Sequence, residues 1–177
     1  LLKGDINGDG KEDMITNSAD GYLFAYEMET GESIQGFPAY FGCPTNYITA
    51  PVIGDIDSDG RNEIVFVASE SLFVFTDEGV KENNFPIYIG SDVISSPLLA
   101  DLDGDSPTLE ILIGTIDGYL QAYNYRGIRL PRYKLASGTN VSLALTDING
   151  DGTEELLILT YEGVIYVYSM AAFSGVN

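Results

Sequence analysis

The sequence predicts an all-β protein, a β-propeller of four-stranded antiparallel blades with about four blades present. A short acidic loop recurs four times, and its first residues, Asp5, Asp55, Asp101 and Asp147, lie 50, 46 and 46 residues apart. Short apolar runs rich in β-branched and aromatic residues follow each loop, and strong helix signals are absent. Repeats of about 40–50 residues made of four short strands are typical of propeller blades.

Each acidic loop carries oxygen-bearing side chains at its positions 1, 3 and 5 and an acid at position 9, or one residue later in the third loop. A glycine stands at position 6 in three of the four. Alternating hard oxygen ligands around a sharp turn are what a Ca²⁺ loop requires. The candidate ligands are Asp5, Asn7, Asp9 and Asp13 in the first loop, Asp55, Asp57, Asp59 and Glu63 in the second, Asp101, Asp103, Asp105 and Glu110 in the third, and Asp147, Asn149, Asp151 and Glu155 in the fourth.

Position 7 is predicted to contribute a backbone carbonyl, as it does in other calcium loops. The residues there are Lys11, Arg61 and Thr153. The third loop lacks the glycine at position 6 and is one residue longer, so its carbonyl comes from either Pro107 or Thr108.

Two other interpretations of the loops are less consistent with the sequence. An EF-hand or a dockerin-type half of one needs an acid at position 12 and flanking helices, but Thr16, Phe66, Leu112 and Ile158 stand there. Four solvated turns rich in Asp, Asn and Gly would not explain the recurring acid at position 9. Mg²⁺ is less suitable than Ca²⁺ because it prefers few protein ligands and several waters. The sequence therefore predicts up to four Ca²⁺ ions with a structural role.

The first three repeats each have three predicted strands after the loop, and the fourth has the first two of them. The first is a short apolar run, such as residues 64–67, and is predicted to be buried on both faces. The second alternates, as in residues 72–75, which indicates two unlike faces. The third is marked by proline, which is confined to sheet edges, and is predicted to be the outermost strand. These proline-marked segments are residues 37–40, 85–88 and 130–133.

The repeats divide one predicted propeller domain into blades. The predicted domain is 1–177, and the blades are approximately 1–46, 47–92, 93–138 and 139–177. Only residues 1–4 precede the first loop, and no proline-marked strand follows Tyr168. Two alternatives are open, a segment of a larger propeller, which we favour, and a small closed propeller of four blades. An open segment would expose a blade face at each end, which allows self-association.

Composition excludes several classes of function. The formal net charge is −19, from 27 acids and 8 bases, and 14 of the acids lie in the loops. Four bound Ca²⁺ ions would change the charge to −19 + 8 = −11, and such an acidic surface argues against nucleic acid as a partner. The chain has no histidine, and its single cysteine, Cys43, allows no intrachain disulfide. No apolar run is long enough to span a bilayer.

The repeat resembles the FG-GAP/VCBS repeat. The resemblance is carried by the pattern Asp-x-Asp-x-Asp-Gly-x-x-Glu at residues 55–63, between two predicted strands, and by a following strand that opens with glycine and an aromatic residue, as at Gly21-Tyr22. Asn7 and Asn149 depart from it, because each keeps an oxygen but removes a charge. That family includes the propeller of integrin α-chains and many bacterial secreted proteins. Its complete propellers have about seven or eight blades, which favours the segment over the closed ring.

The resemblance implies a Ca²⁺-stabilised propeller in an extracellular or cell-surface protein, used for adhesion or carbohydrate contact. We expect a non-enzymatic binding module whose protein or carbohydrate ligand meets the loops opposite the calcium face. Those loops lie at residues 41–47, 90–93 and 137–140. The alternatives are an architectural spacer and an accessory or catalytic domain of a secreted polysaccharide-acting enzyme. Catalysis would have to use acids outside the loops, such as Asp92 or Asp117.

Overall fold

The computed structural model describes residues 1–42, 45, 47–93, 95–102, 107–135, 142–160 and 162–170. Over these residues the backbone forms fifteen β-strands and no α-helix. The strands are β1 Leu2–Gly4, β2 Asp13–Asn17, β3 Tyr22–Glu27, β4 Ala39–Tyr40, β5 Val52–Gly54, β6 Glu63–Ala68, β7 Ser71–Phe75, β8 Ile87–Tyr88, β9 Leu98–Ala100, β10 Glu110–Gly114, β11 Tyr119–Tyr123, β12 Tyr133–Lys134, β13 Ser142–Thr146, β14 Glu155–Leu159 and β15 Ile165–Ser169.

The strands form four separate antiparallel sheets, which confirms the all-β prediction. Three sheets have four strands in chain order, β1 to β4, β5 to β8 and β9 to β12, and the fourth contains β13 to β15. Every acidic loop joins the first strand of a sheet to the second, as predicted. We refer to the four sheets as blades one to four.

Neighbouring blades meet through large apolar side chains. Between blades one and two, Leu23 and Ala25 of β3 pack with Phe66 of β6 and with Phe73 and Phe75 of β7. The Phe66 and Phe73 rings stack with centroids 5.4 Å apart and an angle of 9° between their planes. Burying each phenylalanine contributes roughly 2–3 kcal/mol. We call the face of a blade that packs on the next blade its downstream face, and the opposite one its upstream face.

The predicted burial of the apolar runs on both faces holds only for the inner blades. All six residues of β6 and all five of β10 are buried. β14 has the same kind of sequence, but its Leu159 is 44% exposed. In β2, Met14 is only partly buried. These strands lie in the two terminal blades, where one face has no neighbour among the described residues.

The turns between second and third strands lie at the end of each blade opposite the acidic loops. The chain after each outer strand returns to this turn. The amide groups of Phe41, Ile89 and Leu135 donate to the carbonyls of Gly21, Glu70 and Gly118, respectively, at 2.8–2.9 Å. The links between blades therefore begin on the face opposite the acidic loops, as the sequence predicted for the first two; residues 137–140 lie outside the described residues.

The pairing of the third outer strand shows that the repeats were misaligned at this point in the sequence analysis. The sequence placed Leu130-Pro131 beside Phe37-Pro38 and made Tyr133 the counterpart of Tyr40. In the structure Tyr133 pairs with Leu120, as Ala39 pairs with Leu23, so Lys134 is the counterpart of Tyr40. The connection before β12 is shorter than in the first blade, and the proline occupies a different place in it. The outermost position of all three strands is confirmed.

No helix with the length and apolarity of a membrane span occurs in the described part of the chain.

The core between blades two and three gives a direct test of the packing. Val74 is fully buried in it, whereas Val80, in the loop after the same strand, is 58% exposed. Val74→Ala should lower the free energy of unfolding by about 2 kcal/mol, because it removes two buried methyl groups and leaves a cavity. Val80→Ala, the matched control, should change it by less than about 0.5 kcal/mol. Urea denaturation measures both; equal effects would contradict the described packing.

Candidate metal centres

The first, second and fourth acidic loops each fold around the carboxylate at position 1. Asp5 Oδ1 accepts hydrogen bonds from the amides of Gly8 at 2.7 Å and Asp9 at 3.2 Å, and Asp5 Oδ2 accepts one from Gly10 at 2.8 Å. Asp55 and Asp147 accept equivalent bonds at 2.6–3.2 Å. Charge-assisted bonds of this kind are the stronger class of hydrogen bond, so one carboxylate orders the whole turn.

The side chains at positions 3 and 5 are held on the same turn. Asn7 Oδ1 accepts from the amide of Asp9 at 3.0 Å, and Asp9 Oδ1 accepts from the amide of Lys11 at 2.9 Å. The second and fourth loops repeat both bonds at 2.8–3.2 Å. The oxygens of positions 1, 3 and 5 are thereby gathered around one short segment of backbone in each of these loops.

The glycine at position 6 is required by the backbone. Gly10, Gly60 and Gly152 have φ angles of 85°, 91° and 88°. This left-handed region is unfavourable for residues with a Cβ atom. Ser58, at position 4 of the second loop, adopts φ 65° without being glycine, so this loop carries some backbone strain.

The acid that closes each loop is buried and fixed by the second residue of the loop. Asp13, Glu63, Glu110 and Glu155 are all at least nine-tenths buried. One carboxylate oxygen of each accepts a hydrogen bond from the amide of Ile6, Ile56, Leu102 or Ile148, at 3.0, 3.0, 2.8 and 3.1 Å respectively. We call this contact the carboxylate latch. It joins the start of the loop to the first residue of β2, β6, β10 or β14.

In the first two loops, the latch leaves the second carboxylate oxygen of the closing acid available inside the loop. In the first loop, Asp13 Oδ1 is buried and has no hydrogen-bond partner among the described residues. In the second loop, one oxygen each from Asp55, Asp57 and Glu63 lie within 4.8 Å of one another. A buried, unpaired carboxylate oxygen is costly without a compensating cation. The donor set is all oxygen, which fits Ca²⁺ and not a soft metal.

The fourth loop differs at this point. Asn149 Nδ2 donates to Glu155 Oε1 at 3.0 Å, so an amide hydrogen bond uses the second oxygen. The position-3 asparagine, which keeps the predicted oxygen but not the charge, partly satisfies the closing acid here.

The pKa values of the acids reflect the same geometry. Burial raises the pKa of Glu63 to about 7, and the neighbouring charges of Asp57, Asp59 and Asp55 add to this, while the bond from Ile56 opposes it. Burial likewise raises the pKa of Asp13. In the fourth loop, hydrogen bonds from backbone amides, the largest from Gly152, lower the pKa of Asp147. The raised pKa values of Glu63 and Asp13 mean that these two closing acids resist ionisation when no cation is bound.

Among the described residues, only Asp55, Asp57 and Glu63 of the second loop place one carboxylate oxygen each within 4.8 Å of one another. In the first and fourth loops the side chains at positions 1, 3 and 5 share one ordered turn, and the third loop is described only in part. Asp101 and Glu110 are described, and Glu110 makes the carboxylate latch. Asp103 and Asp105 lie outside the described residues. Lys11 pairs with Glu29 at 2.9 Å, and Arg61 pairs with Asp77 at 3.6 Å. The Arg61 guanidinium also lies 4.0 Å from Asp59, the predicted ligand at position 5 of its own loop.

Sequence reasoning missed the contacts between loops. Asn62 Nδ2 donates to the backbone carbonyl of Asp5 at 2.8 Å, and the amide of Leu109 donates to the carbonyl of Ile56 at 3.1 Å. Each bond links an acidic loop to the loop of the preceding blade. The sequence offers no signal for them, because the two residues occupy a loop position where the four repeats differ.

Comparison with known families agrees with this geometry. Residues 5–66 match the model of an FG-GAP-like repeat. The match confirms the resemblance for the part of the chain that holds the first two acidic loops. No curated protein sequence matches the chain.

Solved structures share the fold. BBS1N, from its complex with ARL6DN, superimposes with a TM-score of 0.68 at 11% identity, covering 98% of this chain and 51% of that one. BamB from Moraxella catarrhalis gives 0.57 at 15% identity, covering 94% and 42%. The V. cholerae biofilm matrix protein Bap1 gives 0.55 at 24% identity, covering 95% and 30%. BBS1 and BamB are β-propeller proteins, so the propeller fold is confirmed. The chain spans about half the length of BBS1N.

The raised pKa of Glu63 predicts an unusual pH dependence in metal-free protein. Because its folded pKa of about 7 exceeds the ordinary value of 4.5, stability is fully present below about pH 4.5 and is lost as pH rises through 7. Glu63→Gln should therefore flatten the fall in melting temperature between pH 5 and 8. It should also raise the melting temperature in EDTA at pH 8.

Glu32→Gln is the matched control, because Glu32 is an exposed acid outside the closing positions. It should leave the pH dependence unchanged. An unaltered pH profile in Glu63→Gln would show that this carboxyl is not the group that titrates.

Proposed function

We propose that the chain is a calcium-stabilised binding module of an extracellular or cell-surface protein. In this proposal Ca²⁺ holds the acidic loops, and a protein or carbohydrate ligand meets the opposite face. The observation that carries the metal part is the buried Asp13 Oδ1, which has no hydrogen-bond partner among the described residues and lies in a loop whose other acids and amide oxygens are already ordered.

The residues that would hold the ions are those at positions 1, 3, 5, 7 and 9 of each loop. When bound, Ca²⁺ would neutralise three or four clustered carboxylates that otherwise repel one another. The protein contributes the arrangement, since the position-1 acid orders the turn and the carboxylate latch orients the closing acid. The role is structural because the loops connect strands within a blade and are linked to the neighbouring blade by Asn62.

An extracellular location is supported by calcium chemistry and by the family. Calcium modules of extracellular proteins bind Ca²⁺ with dissociation constants of about 10⁻⁴–10⁻³ M. FG-GAP-like repeats are typical of extracellular proteins, and one protein of similar fold is a biofilm matrix protein.

A binding role agrees with the opposite face better than catalysis does. Asp117 is, with Asp92, one of the acids that catalysis would have to use, and Ser91 Oγ donates to it at 3.0 Å. Partial burial favours its protonated form, but hydrogen bonds from the side chains of Thr115 and Ser91 outweigh this and lower its pKa. A carboxyl that is ionised and hydrogen-bonded at neutral pH is a poor general acid.

Removal of Ca²⁺ tests the metal part. We expect 2 mM Ca²⁺ to raise the melting temperature of EDTA-treated protein, because each ion binds the folded state alone; a site filled to 100 times its Kd adds about 2.7 kcal/mol. Mg²⁺ at the same concentration should give a smaller rise. Differential scanning calorimetry and titration calorimetry measure the shift and the stoichiometry. Identical melting curves in EDTA and Ca²⁺ would contradict the proposal.

The ligand face is tested separately. Calcium-loaded protein should bind selected members of a glycan array or a panel of extracellular proteins. Tyr47→Ser, on the face opposite the loops, should weaken that binding about tenfold or more, since exposed tyrosine is a frequent binding hot spot. Ile128→Ser, on the calcium side, is the matched control and should not. Equal loss in both variants, or no ligand at all, would contradict a binding role for this face.

A further inference from the structure

Basic residues are unevenly distributed along the chain. Residues 118–146 contain four of the eight Lys and Arg residues and none of the 27 Asp and Glu residues. This segment has a formal charge of +4, whereas the rest of the chain has four bases and 27 acids, which amount to −23. Three of the four bases in the segment are arginines spaced three residues apart, Arg126, Arg129 and Arg132. We call these three residues the arginine strip.

The arginine strip follows the outer edge of blade three. Arg129 forms an isolated β-bridge with Tyr123, at the end of β11 nearer the acidic loops, and the guanidinium of Arg132 lies over Tyr119 at the other end. These two ends of an extended strand are separated by about 13 Å. All three arginines are exposed. The strip is not on an end face, because blade three packs on blade two through its upstream face and on blade four through its downstream face.

Tyrosine rings hold two of the arginines in place. Cζ of Arg132 lies 4.2 Å from the centroid of the Tyr119 ring, and Cζ of Arg126 lies 5.0 Å from that of the Tyr125 ring. Both distances are within the range of cation–π contacts. A guanidinium whose face rests on a ring keeps the N–H groups in its plane available, and these groups match the two oxygens of a carboxylate. The strip is thus prepared for bidentate contacts with an anion.

No acid in the described part of the chain forms an ion pair with the arginine strip. The ion pairs among the described residues all involve other bases. Asp117 lies near Arg132, but it accepts a hydrogen bond from Ser91 Oγ at 3.0 Å and is not paired with the arginine. In a chain with 27 acids, three exposed cations are thereby left for an anionic group from outside.

Protection of the sheet edge does not account for the strip. Charged side chains, especially lysine, discourage strand addition at an edge. In blade two, Glu78 and Lys81 occupy the positions of Arg126 and Arg129, because Lys81 forms the bridge with Phe75 that Arg129 forms with its tyrosine. That edge is protected by charges of mixed sign. Protection needs charge alone, whereas arginines held against rings indicate recognition of an anion with a defined shape.

We propose that the arginine strip binds an acidic polysaccharide, whose uronic acid carboxylates accept paired hydrogen bonds from the guanidinium groups. A linear polymer that repeats one carboxylate fits three like groups spread along about 13 Å or more of strand edge. This inference goes beyond the proposed function, because it uses the outer edge of blade three and needs no bound Ca²⁺.

Other polyanions fit this edge less well. An acidic peptide would gain most from adding a strand, but β12 offers only two residues with which to pair. Nucleic acid has a denser charge, about one phosphate for every 1.7 Å of duplex, and would meet the 27 acids of the rest of the chain. A uronic acid polymer needs neither a long free edge nor a broad basic surface.

The surroundings of the strip decide how it is tested. The net charge of −19 repels any polyanion at long range, but at 150 mM salt charges more than about 8 Å apart are largely screened. Arg126 also lines a cavity of about 180 Å³ with Asp57 and Glu63 of the second acidic loop. Substitutions at Arg129 and Arg132 therefore separate the strip from the candidate metal centre.

Titration calorimetry of the full chain with oligogalacturonides of about six sugars, in 150 mM salt and 2 mM Ca²⁺, tests the inference. Arg129→Ala and Arg132→Ala should each raise the dissociation constant about tenfold or more, because each removes a charge-assisted contact. Arg132→Lys should weaken binding nearly as much as Arg132→Ala, since lysine keeps the charge but loses the fork. Lys81→Ala, the matched control in blade two, makes the same change of charge and should alter the constant less than about twofold.

Two further ligands define the chemistry. The methyl ester of the same oligosaccharide, which lacks the charge, should bind at least about tenfold more weakly, and so should hexaglutamate. Absence of binding to the wild-type chain overturns the inference, as do equally tight binding of the ester, tighter binding of hexaglutamate, or an equal loss in Lys81→Ala. Unchanged binding in Arg132→Lys would show that charge alone acts and would overturn the bidentate contact. Circular dichroism and melting curves check that each variant keeps the fold.

Discussion

A four-stranded antiparallel sheet has two faces and cannot bury either by itself, so every blade of this protein depends on a neighbour. The three core clusters lie between blades, and each takes its apolar side chains from the two sheets that meet there. Phe66 illustrates the dependence, since it is fully buried only because blade one covers it. The contrast between β6 and β14 has the same origin, since the same kind of strand is buried or exposed according to whether the described residues supply a neighbouring blade.

The dependence on a neighbour explains why the acidic loops are needed to fix the structure around the first strand of each blade. The first strand is only three residues long in blades one to three, and the acidic loop follows it directly in the chain. The carboxylate latch ties the second loop residue to the first residue of the next strand, and so holds the apolar side chain at loop position 2 in the core below. Ile6 and Ile56 therefore each serve two purposes. The backbone amide is fixed by the closing acid, and the side chain packs between blades.

Much of the fold could be predicted because the chain repeats. Four copies of the loop gave the period, and the alternation of residues 72–75 gave a strand with two unlike faces. Which strands are exposed could not be predicted from the repeat. Val74 and Val167 are the same residue type at the same repeat position, and their burial differs because of what lies beside them. The third outer strand was misaligned because proline was taken as the marker, whereas the pairing of Tyr133 with Leu120 decides its register.

The residues of the candidate site could be predicted from the sequence, but the burial and the pKa values of its acids could not. Spacing identified the acids, but it did not show that the closing acid is buried, nor that Glu63 has a pKa of about 7 while Asp147 is held below its ordinary range. The difference depends first on burial, which raises the pKa of Glu63, and on the backbone amides that lower the pKa of Asp147; both are properties of the folded chain. The bonds from Asn62 to Asp5 and from Leu109 to Ile56 add a further consequence. Because the second and third loops are each hydrogen-bonded to the loop before them, a change in the charge or shape of one of these loops acts on the backbone of its neighbour, and the first three loops form one connected layer.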